Sequence, residues 1–426
     1  MEFYNSNERK TSGVMKKQSG NIKDSRISEL ENKIKKGEKN ALQNFWNIIE
    51  ANGAPLIEDI NGDFENKLVT IIYKEVKKLS NVVLIPPVGM RKLENCVLEK
   101  LENTDLWYIS YIVRKDVSFT YQFSINDPMD NDWNRRWRNV EGDRFNPNKL
   151  KYIDKLNGNE MLVPYVALEN AKERIYIKRN KAYNNGKLHE HEIYSDILKE
   201  KRKFSVYTPY NYDNSLKEKE KLYGVLVLND GFEYINLLNG LNVLDNLIEM
   251  KKISPIIAVF IESTKNRTEN LQCSDKFTDF IGKEIMEYLK KHYNVSEDPR
   301  KNVIGGYSLG GLEASYVGLR YSNIFGNVLS QSGSYWYKTK EYAKPHVLWI
   351  NDQFSKKKKL PLKFYINVGV IEPKISMKNT NISFSDYLKN KGYEVHFEEF
   401  GSGHDHIYWG ETLADGLIYL IGNEKE

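Results

Sequence analysis

The chain has 426 residues, too many for one ordinary domain of about 100–200 residues, and 40% of them are hydrophobic, enough for real cores. Its 63 Lys and Arg nearly balance 58 Asp and Glu, and the net charge of +5 is spread without a basic stripe or a reader motif, so nucleic-acid binding is not expected. No apolar run reaches the about 18 residues of a membrane span or forms a signal-peptide core, and Cys96 and Cys273 lie far apart outside any metal-ligand spacing. A soluble, cytoplasmic protein with no disulfide framework and no zinc site is expected.

Residues 1–26 are polar and lysine-rich, and are expected to be a disordered tail. A first domain is expected over 27–175. Ile27, Leu30 and Ile34, then Ala41, Leu42, Phe45, Trp46 and Ile49, recur at helical intervals with a break at Gly37, which predicts two short helices. Between about 53 and 127 the period changes to two: "KLVTIIYKE", "NVVLIPP" and "LWYISYIVRKDVSFTYQFSIND" predict a small antiparallel β-sandwich. The polar, aromatic stretch 128–185 reads as an irregular connection.

A second domain is expected over 186–426. "LHEHEIYSDIL" and "KRKFSVYTPY" predict a hairpin; "YGVLVLNDG", "ISPIIAVFIES", "KNVIGGYS", "GNVLSQSG" and "PLKFYINVG" are short continuous apolar runs separated by helical segments such as "FTDFIGKEIMEYLKKHY". Buried strands alternating with helices predict an α/β domain with a mostly parallel central sheet.

Within it, Gly306-Tyr307-Ser308-Leu309-Gly310 matches G-x-S-x-G, with an apolar run before and the helical pattern "GLEASYVGLRY" after. That is the context of a nucleophile elbow, which would present the Ser308 hydroxyl at the carboxyl end of the sheet. A serine needs a histidine base oriented by an acid, in the chain order Ser, acid, His. His404 follows the strand pattern "EVHFEEF" in a small-residue loop and is the expected base, with His406 its competitor; His346 and His396 read as surface or packed residues. Glu372, after "PLKFYINVG", is the expected acid, while Asp405, Asp352 and Asp386 are less well placed; a Ser-His dyad stays open. The oxyanion donors are expected at the N–H of Leu309 and at the loop after "VLVLNDG", at Gly231 or Phe232. Asp230 reads as a turn-former.

The segments "GGYSLGGLEASYVGLRYSNIFGNVLSQSGSYWY", "INVGVIEP" and "GSGHDHIYWGETLADGLIYL" resemble the enterochelin esterases, as do "VLNDG", "NRTENLQC", "GDRFNPNKL" and "FWNIIEANGAPLIE" upstream. The resemblance implies an N-terminal β-sandwich domain followed by an α/β-hydrolase domain. It further implies serine-catalysed hydrolysis of the trilactone esters of ferric catecholate siderophores, with iron entering only as part of the substrate and no cofactor or protein partner. It gives Ser308, Glu372 and His404 the triad roles, and places Arg267, Tyr335 and Trp336 toward the substrate. Where these esterases carry arginine after the last tryptophan, this chain has Gly410, and Asn270 stands at a usually acidic position. A feruloyl-esterase-like hydrolase or acyltransferase, and a non-catalytic siderophore- or carbohydrate-binding protein, are the alternatives; the absence of a secretion signal argues against polysaccharide substrates.

Overall fold

The computed structural model describes residues 15–17, 23–85, 93–130, 132–155, 157–212 and 222–423, so most of the expected tail lies outside the described residues. By contact the chain divides into two units. The first runs to Lys172 and also takes in Val370–Pro373 and Gly401–Ile407; the second comprises Glu173–Gly369, Lys374–Phe400 and Tyr408–Glu426.

In the first unit, the predicted helices occupy Ser25–Lys35 and Ala41–Asn52. Their Ile27, Leu30, Phe45, Trp46 and Ile49 are buried together with Ile72, Leu106 and Tyr108 of the strands Asp63–Lys74 and Leu106–Arg114. Alternate residues of the same two strands, Val69, Ile71, Ile109, Tyr111 and Val113, join a second cluster with Val82, Leu84, Phe119, Tyr121 and Phe123. Successive side chains of a strand point to opposite faces, so one antiparallel sheet here closes two cores.

Two expectations are corrected. Met15–Lys17, assigned to the disordered tail, adds an edge strand to Leu106–Arg114. The stretch read as an irregular connection contains Lys149–Ile153 and Glu160–Ala167, which pair with each other, the latter also with Ser118–Thr120. Only Tyr152, Val163, Pro164 and Val166 are buried in this pair, so its two strands carry little apolar alternation to read.

The second unit holds an eight-stranded sheet: β1 (Lys187–Ser195), β2 (Glu200–Thr208), β3 (Gly224–Leu228), β4 (Ile256–Ile261), β5 (Val303–Tyr307), β6 (Asn327–Gln331), β7 (Lys363–Gly369) and β8 (Glu394–Phe400), in the order β1-β2-β4-β3-β5-β6-β7-β8. The hairpin β1-β2 and the β2-β4 pair are antiparallel, and every pairing from β4 to β8 is parallel. Val225 and Val227 enter a core with Ile257, Ile304, Leu312 and Phe384, while Leu226 and Leu228 on the opposite face are also buried. Burial on both faces is why these strands read as unbroken apolar runs. Among the described residues, no helix is long and apolar enough to cross a membrane.

Candidate active site

Ser308 follows β5 directly and caps the helix Leu309–Arg320 with φ 56° and ψ −123°, a backbone conformation that is costly for a residue with a side chain. The flanking glycines make the turn possible. A Cβ on Gly306 would stand 2.5 Å from the Gly310 carbonyl carbon, and one on Gly311 would stand 2.7 Å from Ser330 Oγ. The elbow is fastened to β6: the Ser308 N–H donates to the Gln331 carbonyl at 2.9 Å, and the Ser334 N–H to the Ser308 carbonyl at 3.0 Å. The Ser308 hydroxyl lies 3.4 Å from that of Ser334. Leu309 opens the helix, so its N–H has no intrahelical acceptor and is available to an oxyanion.

After β3 the chain turns through Asp230, at φ 59°, into the short helix Gly231–Asn236. A Cβ on Gly231 would meet the Phe260 backbone at 2.5 Å, which fixes glycine there. Asp230 does more than turn the chain. Its buried carboxylate accepts from Arg267 Nε and Nη2, each at 2.6 Å, and from the Ser263 hydroxyl. Burial of Arg267 works against its charge, but this ion pair outweighs burial and holds the guanidinium above its ordinary value. Its Cζ lies 6.0 Å from the Tyr307 ring centroid, and Tyr307 stacks on Trp409 at 4.3 Å.

Glu372 stands three residues beyond the end of β7, and His404 four beyond the end of β8. His404 Nδ1 is 2.9 Å from Glu372 Oε2. With the proton on Nδ1 donated to the carboxylate, Nε2 is left as a base. The loop around the histidine is held by its neighbour: Asp405 accepts from the Thr120 N–H at 2.7 Å and hydroxyl at 2.9 Å, and from the Ile407 N–H at 3.1 Å. His406 lies edge-on to Tyr152, with ring centroids 6.3 Å apart. His396 stacks on Tyr365 at 5.5 Å beside Glu398.

The residues expected to face substrate separate. Trp336 is 47% exposed. Tyr335 is fully buried; its hydroxyl hydrogen-bonds Ser330 at 2.7 Å and Ser315 at 2.8 Å, and its ring packs on Phe384. Tyr335 is therefore a core residue, correcting the expectation of a substrate contact. Sequence reasoning missed Gln331, whose side chain links the Tyr234 hydroxyl to the Trp409 carbonyl, each at 2.7 Å, beneath the elbow. Its signal was a polar residue closing an apolar strand.

A family model described as "Putative esterase" matches residues 195–420, more than half of the chain. Iron(III) enterobactin esterase of Escherichia coli (strain K12) is 28% identical over 228 residues, covering 53% of this chain and 55% of that protein, so the match spans about half of that relative's length. Iron(III) salmochelin esterase of Escherichia coli O6:H1 (strain CFT073) is 24% identical over 422 residues, covering 93% of this chain and 98% of that protein. Two solved structures share the fold at 20% identity. They are ferric enterobactin esterase from Salmonella typhimurium (TM-score 0.72, covering 89% of this chain and 98% of that one) and the Shigella flexneri enterobactin esterase in the presence of enterobactin (TM-score 0.69, covering 89% and 97%). An elbow serine on a mostly parallel sheet, a His-Glu pair beyond its last two strands and the family match over 195–420 agree: the chain belongs to the Esterase family and is related to the enterobactin and salmochelin esterases.

Proposed function

We propose that this protein is a cytoplasmic serine esterase that opens the trilactone ring of ferric catecholate siderophores and so releases iron. The observation that carries the chemistry is the His404-Glu372 pair at 2.9 Å, on the segments leaving β7 and β8, in a chain whose β5 ends in a strained serine elbow. The substrate is supported by similarity to proteins named for enterobactin and salmochelin hydrolysis.

In this reading His404 takes the proton of Ser308 as the oxygen attacks an ester carbonyl. The N–H groups of Leu309 and of Gly231 or Phe232 hold the oxyanion, and His404 then protonates the leaving alkoxide. Water, deprotonated by the same imidazole, resolves the acyl-enzyme. Opening the ring removes the preorganisation with which the ligand holds iron, so the metal is more easily reduced or captured.

The test is chromatography of ferric enterobactin and ferric bacillibactin after incubation with wild type and Ser308→Ala. Linear products with wild type and none with the variant are expected. If wild type opens neither ring, the substrate assignment is wrong.

A further inference from the structure

We propose that Arg267 is a positioning residue for the oxyanion loop and not a contact for substrate charge; this rests on the ester-hydrolase reading above. One edge of the guanidinium is already committed. Nε and Nη2, the two donors along one side of its fork, both lie 2.6 Å from the carboxylate of Asp230, whose side chain is wholly shut off from solvent. An anionic ligand could take only the remaining donors of Nη1 and Nη2, on a fork whose other edge is fixed by that buried charge.

What Arg267 holds is the backbone that supplies the oxyanion donors. Asp230 sits in the left-handed region, at φ 59°, directly before Gly231 and Phe232. An aspartate there is not kept in place by its own backbone preference. Arg267 and the Ser263 hydroxyl anchor the carboxylate from outside the loop. The same guanidinium lies over Tyr307, 6.0 Å from the ring centroid, and Tyr307 immediately precedes Ser308. The two segments also approach each other directly: a Cβ on Gly310 would stand 3.5 Å from Asp230 Oδ2 and from Asn229 Cβ. One side chain thus ties the loop of Gly231 and Phe232 to the elbow of Ser308 and Leu309.

A charge contact and a positioning role differ on an uncharged substrate. Steady-state kinetics on p-nitrophenyl butyrate and on ferric enterobactin should be compared for wild type, Arg267→Lys, Asp230→Asn and the double variant, with circular dichroism confirming the fold. Lysine keeps the positive charge beside Asp230 but loses the fork. The expected result is a kcat reduced about 100-fold on both esters, the size of losing one oxyanion donor, with KM within about twofold of wild type. The double variant should be no slower than Arg267→Lys alone, because both residues act through one contact.

A loss confined to ferric enterobactin overturns the proposal and makes Arg267 a substrate contact. Unchanged kcat on both esters overturns it as well. If wild type cleaves the neutral ester but not the trilactone, the siderophore reading falls while the positioning role is judged on the neutral ester alone.

Discussion

His404 Nδ1 lies 2.9 Å from the carboxylate of Glu372, a side chain with no solvent exposure, so the imidazole is oriented by a charge that water does not screen. Glu372→Gln keeps the shape but can present its amide N–H to Nδ1, which favours the tautomer with the proton on Nε2. A triad so altered loses about 10⁴ in kcat, with substrate binding little changed. We expect kcat on a simple ester to fall about 10³–10⁴-fold with KM within about twofold of wild type, measured by steady-state kinetics beside Ser308→Ala as the inactive control. A loss smaller than tenfold would mean that the histidine works without the acid.

The parts of this chain that were legible are those whose cause is local. The strands β3 to β7 announce themselves because burial on both faces demands uninterrupted apolar residues, and the elbow because Gly306 is forced by the Gly310 backbone four residues on. Asp230 was not legible: read as a turn residue, it forms its ion pair with a residue 37 positions later, and nothing in "LNDG" names that partner. Tyr335 and Trp336 are adjacent and both aromatic, yet the first is core and the second is exposed. That difference is set by the Ser315, Ser330 and Phe384 side chains beside Tyr335, not by its own sequence context.

Gly410 is closed to any larger side chain. A Cβ there would stand 2.4 Å from the Leu238 carbonyl oxygen and 2.5 Å from Ile177 Cγ2. Gly410→Arg is therefore expected to lower stability by about 1–3 kcal/mol or more, as overpacking does, without improving siderophore turnover. Urea unfolding and KM for ferric enterobactin check both halves; an undiminished midpoint with a lower KM would contradict the packing argument.

Tyr335 and Trp336 should respond oppositely to substitution. Tyr335→Phe strips a buried hydroxyl that hydrogen-bonds Ser330 and Ser315, and a loss of about 1–3 kcal/mol is expected with KM unchanged. Trp336→Ala, at a side chain 47% exposed, should leave the unfolding midpoint within error and raise KM for a catecholate substrate. Equal thermal shifts in the two variants would remove the distinction.

Glu313, on the helix that begins at Leu309, is completely buried, and Thr278 donates its hydroxyl to Oε1 at 2.7 Å. Burial pushes its pKa up to about 8. The Thr278 hydrogen bond and the Cys273 N–H pull the other way, with Asp275 adding to the rise and Arg320 opposing it. A carboxyl whose folded pKa exceeds its unfolded value stabilises the fold fully below about pH 4.5, and that contribution is lost as pH climbs toward 8. Glu313→Gln mimics the protonated form at every pH. Relative to wild type, the variant should therefore gain stability with rising pH, by up to about 1.4 kcal/mol per unit across that window. Urea unfolding of both proteins at pH 5, 6.5 and 8 reads the difference directly. A gap that stays constant with pH would show that Glu313 is ionised in the folded protein throughout.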